Sequence, residues 1–302
     1  MFDTPILLLI FNRPDLSQRI FERVKEIKPT RLFIAADGPR EGRNGEGDLC
    51  AAARNGILQG VDWPCEVTTL FREKNLGCRV AVSSAITWFF DQVEEGIILE
   101  DDTLPNKSFF EFCHAMLNKY RSDKRVMHIS GDCFLKLPLK ESYYFTNYTH
   151  IWGWATWRRA WSLYDPGMKG WESKRNTPLL QSRLKHPRSE EYWKKTFDEV
   201  YNNEFDTWDH QWTYCCWSNG GLAIAPAVNM ISNIGFRNDA THTSSPESSL
   251  ANIPVQDIDI SELVHPSDIS INKKADHYVR DNIYVPKPIS LFKRALNKLS
   301  KI

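Results

Sequence analysis

Over its first 130 residues the chain alternates short apolar runs with stretches of helical period, and each run closes on polar or glycine-containing residues. Such a series of strand and helix units restricts the chain to an α/β sheet with helices packed on it. Ile6 to Phe11 is continuously apolar and suits a buried central strand. Asp15 stands where it can cap a helix whose apolar positions Leu16, Ile20, Val24 and Ile27 repeat at three and four, and Pro29 stops it. Arg31 to Ala36 reads as a second strand ending at Asp37-Gly38-Pro39, and a glycine-rich loop follows through Gly47. Asp48 is placed to cap a short helix ending near Gly60. Glu66–Phe71 is a third strand, Val80–Phe90 a helix, and Gly96–Leu99 a fourth strand. Ser108–Tyr120 is helical, and Val126–Ser130 returns to strand.

Ligands of open α/β sheets sit beyond the carboxyl ends of the strands. Asn12-Arg13, Asp37-Gly38 and Glu100-Asp101-Asp102 all fall at such ends, so they are expected to face one crevice. From Lys136 onward the pattern changes, with Trp, Tyr, Asn and His dense and helices hard to place before Glu190–Asn202. Thr241–Ser249 is polar without period and reads as a loop. We divide the chain into 1–135, a second half at 136–250 that closes over the first, and an extension at 251–302.

Lys+Arg and Asp+Glu both number 38, so no net field points to nucleic acid. The seven cysteines form no CxxC pair and no zinc spacing, which suggests free thiols in a reduced, cytoplasmic protein. The first residues lack a basic signal region, and Ile6 to Phe11 is too short for a membrane span.

Three consecutive carboxylates at a strand end repel one another, and a hard divalent cation removes that conflict while preferring carboxylate and phosphate oxygens. The competing reading is that Asp101 and Asp102 decorate a turn before the Ser108 helix, favoured by its dipole. Their position directly after the apolar Ile97-Ile98-Leu99 favours the metal.

Ile97-Ile98-Leu99-Glu100-Asp101-Asp102 resembles the metal motif of GT-A glycosyltransferases. It is closest to the inverting family of the N-acetylglucosaminyltransferase that initiates complex N-glycans. Phe11-Asn12-Arg13-Pro14, Asp37-Gly38-Pro39, Lys74-Asn75-Leu76-Gly77, Trp152-Gly153-Trp154-Ala155-Thr156-Trp157-Arg158, Trp208-Asp209-His210-Gln211-Trp212, and Asn233-Ile234-Gly235 leading to Thr241-His242-Thr243 resemble bacterial relatives of that enzyme. The resemblance implies a Rossmann-like mixed sheet with helices on both faces and a smaller acceptor-side subdomain. It also implies a UDP-sugar donor, a saccharide or lipid-linked acceptor, and Mn²⁺ or Mg²⁺. Asp102 would then be the direct metal ligand, Asp101 would bond the ribose or reach the metal through water, and Glu100 would contact the donor sugar. Asp37 would read the uracil ring, Arg13 would sit near the base or diphosphate, and Asn75 would stand beside the donor. Bland readings exist for each: a surface ion pair for Arg13, a turn carboxylate for Asp37, helix-entry chemistry for Asn75.

An inverting transfer needs one carboxylate to take the acceptor proton. Asp209, between Trp208 and Trp212, is the candidate, with Asp206 and Glu204 behind it; the alternative for Asp209 is an N-cap of the helix 209–217. The resemblance makes His242 a candidate second metal ligand. Trp152, Trp154, Trp157 and Arg158 are expected to wall the donor sugar and acceptor, although each alone suits a core. His128, His150 and His186 show no partner pattern. Beyond Asp281 the chain carries only basic charge, and Ile289, Phe292, Leu296 and Leu299 repeat at helical spacing. That is the pattern of a helix lying on an anionic membrane, or of one docked on the body of the protein. The rival functions are a retaining transferase on the same fold and a non-catalytic nucleotide-sugar or glycan-binding protein.

Overall fold

The computed structural model describes residues 1–237 and 247–285. Strand β1 (Ile6–Ile10) leads through helix α1 (Pro14–Ile27) to β2 (Arg31–Ala36), α2 (Glu46–Gly60), β3 (Glu66–Phe71), α3 (Gly77–Phe90) and β4 (Glu95–Glu100). Then come β5 (Thr103–Pro105), α4 (Lys107–Tyr120), β6 (Val126–Ser130), β7 (Tyr143–Thr146) and β8 (Trp154–Trp157). Helices α5 (Arg158–Trp161), α6 (Trp171–Lys174), α7 (Leu179–Leu184), α8 (Pro187–Tyr201) and α9 (Asp209–Ser218) precede β9 (Leu222–Pro226), β10 (Ile231–Asn233) and α10 (Lys273–Val279).

Eight strands form one sheet in the order β3-β2-β1-β4-β8-β6-β9-β7, and β5 pairs with β10 in a separate ribbon. The first four strands of that order are parallel. β8 runs antiparallel to both its neighbours β4 and β6, so β6 points the same way as β4. β9 lies parallel to β6, and β7 closes the edge antiparallel. The carboxyl ends of β2, β1, β4 and β6 therefore open on one edge of the sheet. Strands from before and after residue 135 share this sheet, because β8 is inserted between β4 and β6.

Alternation along the strands explains why both faces are covered. Ile6, Leu8, Ile10, Leu32, Ile34, Ile97 and Leu99 face a core shared with α1, α2 and α4. Leu7, Leu9, Phe33, Ala35 and Ile98 face the opposite core, built with α3, α8 and α9. Each fully buried aliphatic or aromatic side chain contributes about 1.5–3 kcal/mol. The fold is thus the α/β class expected, a mixed sheet with helices on both faces.

The tryptophans are mostly core. Trp154, Trp157, Trp161, Trp171, Trp193, Trp208, Trp212 and Trp217 are all buried, and Trp154 stacks on Trp208 with centroids 5.5 Å apart. All seven cysteines are free. Among the described residues no helix is long and apolar enough to cross a membrane.

Two expected caps differ. Arg13 occupies the N-cap of α1 with Pro14 at its first turn, while Asp15 lies inside the helix and pairs with Arg237. Gly45, in the left-handed region, precedes α2, so Asp48 lies in its first turn. Proline starts α1 two residues earlier, and glycine starts α2 three residues earlier, than the acidic residue suggested.

Candidate active site

A cleft of about 630 Å³ opens along the carboxyl edge of the sheet. Arg13, Asp37, Asn75, Glu100, Asp101, Asp102 and Asp209 all line it. His242 and the basic segment after Asp281 from Lys287 onward lie outside the described residues.

Sheet order sets the layout. Asp37 follows β2, Arg13 follows β1, and the acidic triplet closes β4. The Asp37 carboxylate accepts from the Asn75 amide at 2.9 Å, from the Leu76 N–H, and from the Gly38 N–H at 2.9 Å. Burial pushes its pKa up, against the pull of the backbone donors from Leu76 and Gly38. Asn75 also donates to the Gly38 carbonyl, so it holds the Asp37 turn while facing the cleft.

Arg13 bridges the triplet. Its guanidinium pairs with Asp101 and donates to Asp102 Oδ2 at 2.9 Å. Burial, together with the neighbouring carboxylates, holds Glu100 well above the usual carboxylate range. Burial also raises Asp101, although Arg13 pulls it down. Asp209 is among the charges acting on Glu100, which places it within electrostatic reach of the triplet. One close guanidinium thus faces an excess of negative charge. Asp101 and Asp102 form the turn between β4 and β5, but that turn is not the start of α4, which Asn106 caps by accepting from the Phe109 N–H at 3.0 Å.

Among the described residues no three His, Cys, Asp or Glu side chains form a preassembled metal cage. The donor set nevertheless suits a hard divalent cation, which takes one or two protein carboxylates and completes its shell with substrate phosphates and water. Asp102 is the more exposed of the two aspartates and could contribute such a carboxylate. Gly235 packs against Asp102 so closely that a Cβ there would lie 2.7 Å from Asp102 Cβ.

Asp209 opens α9, but Trp208 holds the cap position and Asp209 makes no capping bond. Its carboxylate instead accepts from the Thr207 hydroxyl and lies 3.5 Å from His210 Nδ1. Asp206 behaves differently. It accepts from the backbone N–H of Cys78 at 3.0 Å and of Arg79 at 3.2 Å, satisfying the open start of α3 from a distant segment.

Of the Trp152–Arg158 segment only Trp152 reaches the cleft. β8 runs away from the site edge, so Trp154 and Trp157 are buried within the sheet. Arg158 stands at the far end, pairing with Glu94 and donating to the Val93 carbonyl at 3.1 Å. Residues missed from the sequence also line the cleft: Asp132 after β6, His150, Trp193, and Tyr284 in a π-helical turn Arg280–Tyr284. Asp132 follows the strand Val126–Ser130, and a carboxylate just past a strand end was the available signal.

No protein-family model matches the chain, and no curated protein sequence matches it significantly. Solved structures overlap it remotely. HddC from Yersinia pseudotuberculosis shares 8% identity over 52% of this chain and 77% of its own, with a TM-score of 0.33. A UDP-glucose pyrophosphorylase complexed with UDP-glucose shares 12% over 54% and 79%, at 0.33. S. aureus TarS 1-349 shares 11% over 74% of this chain and 58% of its own, at 0.37. Overlap at this level says nothing about activity.

Proposed function

We propose that this chain is a metal-dependent glycosyltransferase of the GT-A type that moves a sugar from a UDP-sugar to a hydroxyl of a saccharide or lipid-linked acceptor, with inversion at the anomeric carbon. The observation that carries this reading is that Asp37, Arg13 and Glu100-Asp101-Asp102, in sheet order at the carboxyl edge, line one cleft with Asp209 from the start of α9.

Asp37, held by Asn75 and two backbone N–H groups, accepts from the donor base. Arg13, freed from Asp101 and Asp102, supplies charge to the diphosphate. Asp102 would hold the divalent cation, which when bound stabilises charge on the departing diphosphate. Asp209 takes the proton of the acceptor hydroxyl as that oxygen bonds to the anomeric carbon. The bond from that carbon to the diphosphate oxygen breaks as this happens, and its electron pair leaves with the nucleoside diphosphate. One displacement needs one base, and Asp209, at the start of α9, is the carboxylate of that helix that lines the cleft.

Asp209→Asn tests the assignment. Turnover with UDP-sugar and acceptor should fall about 10²-fold or more, with UDP affinity retained. Near wild-type turnover would remove Asp209 from the role, and anomer analysis of the product checks the inversion.

A further inference from the structure

The two ends of the cleft differ in chemistry. Its cationic side chains Arg13, Arg40 and Arg72 belong to the β1, β2 and β3 side. Past the acidic triplet, across β8 to β6, the lining changes to Asp132, Phe134, His150, Trp152, Trp193 and Tyr284. Strands are spaced about 4.8 Å apart, so Asp132 lies two strands, roughly 10 Å, beyond the end of β4.

Three buried polar atoms on this wall lack a hydrogen-bond partner: Asp132 Oδ1, His150 Nε2 and Trp193 Nε1. Asp132 is 1% exposed, His150 4% and Trp193 1%. A buried polar group left unsatisfied costs about 1–3 kcal/mol, and all three belong to residues that line this one cleft, where a ligand can supply the missing partners. The position is built. A Cβ on Gly131 would meet the Phe109 ring at 2.5 Å and Ile231 Cγ1 at 2.7 Å, so only glycine lets the backbone turn there and carry Asp132 to the cleft. The His150 ring is fixed by edge contact with Phe134, at 4.8 Å between centroids, and by Tyr284, whose hydroxyl lies 3.4 Å from Nδ1.

We propose that Asp132, His150 and Trp193 form a second subsite that binds the hydroxyl groups of an uncharged sugar ring, packed against Phe134, Trp152 and Tyr284. This rests on the transferase reading above, and it assigns residues which that reading leaves unused. The wall excludes an anion. Among the described residues that line it there is no Lys or Arg, burial lowers His150 to about 3, and burial raises Asp132. Asp132 and His150 each offer hydrogen bonds to sugar hydroxyls, with aromatic rings for the apolar face of a pyranose.

Binding of UDP, of a panel of UDP-hexoses and UDP-N-acetylhexosamines, and of simple methyl glycosides in the presence of UDP, all with Mn²⁺, tests this by calorimetry. Wild-type protein is compared with Asp132→Leu and His150→Phe, and melting temperatures are recorded beside. Both variants should bind UDP as the wild type does. They should lose about 10-fold or more in affinity for the sugar-bearing ligand, with no loss of melting temperature, because an unpaired buried polar group has been removed. Loss confined to UDP-sugars assigns the ring to the donor; loss confined to methyl glycosides assigns it to the acceptor. Unchanged sugar binding in both variants overturns the subsite, as does a fall in melting temperature with equal weakening of every ligand. Wild-type protein that ignores UDP overturns the transferase reading itself, and the subsite with it.

Discussion

Gly235 lies flush against Asp102, with no room for even a methyl group between the β10 exit and the carboxylate that closes the triplet. The contact makes Gly235 a sensor of where that carboxylate points. Gly235→Ala should therefore displace Asp102 and abolish cation-dependent nucleotide binding, with a smaller effect on melting temperature. Calorimetric titration with UDP and Mn²⁺ checks it. Wild-type affinity in this variant would mean that Asp102 is free to move without consequence.

Asp206 and Asp209 line the same cleft three residues apart and should respond in opposite ways. Asp206→Ala leaves the first N–H groups of α3 unsatisfied and should lower stability by about 0.5–2 kcal/mol, the scale of a lost cap. Its turnover should stay within a few-fold of wild type. Denaturant unfolding beside a rate assay separates the two, and a loss of turnover like that of Asp209→Asn would make Asp206 the base.

His128 is buried, accepting from Trp212 Nε1 at 3.1 Å and bonded through Nε2 to the His150 carbonyl at 2.7 Å. Burial lowers it to about 3. The unfolded chain then binds a proton that the folded one refuses. The histidine's contribution is complete above its unfolded value near 6.5 and is lost as pH falls towards 3. Relative to His128→Gln, the wild type should lose about 1.4 kcal/mol more per pH unit between pH 6 and 4. Denaturant unfolding of both proteins across that range measures the gap. A gap independent of pH would mean that His128 is charged in the folded protein.

Much of the first 135 residues was legible in the sequence. Arg31–Ala36, Glu66–Phe71 and Val126–Ser130 are strands with the expected ends: Arg31–Ala36 is mostly a buried apolar run, while the half-exposed edge strand Glu66–Phe71 and Val126–Ser130 mix β-formers with polar residues. The crevice followed from the polar residues that end those runs. What escaped depends on long-range pairing. Nothing in Trp154–Trp157 announces that it inserts antiparallel between β4 and β6, and that direction alone decides that Trp152 meets the cleft while Arg158 does not. The Asp206 role was hidden for the same reason, since its partners Cys78 and Arg79 lie more than a hundred residues away. Asp132 and His150 gain meaning only once β6 and the segment before β8 share a wall.

The proposed transferase requires the acidic triplet to hold a cation against a nucleoside diphosphate. Titration of UDP into wild-type protein and Asp102→Asn, with Mn²⁺ and again with excess chelator, tests it most directly. Wild-type protein should bind UDP only with the cation, losing about 10-fold or more in affinity on chelation, and Asp102→Asn should resemble the chelated wild type with an unchanged melting temperature when ligand-free. Equal UDP affinity with and without Mn²⁺, or full cation-dependent binding by Asp102→Asn, would contradict it.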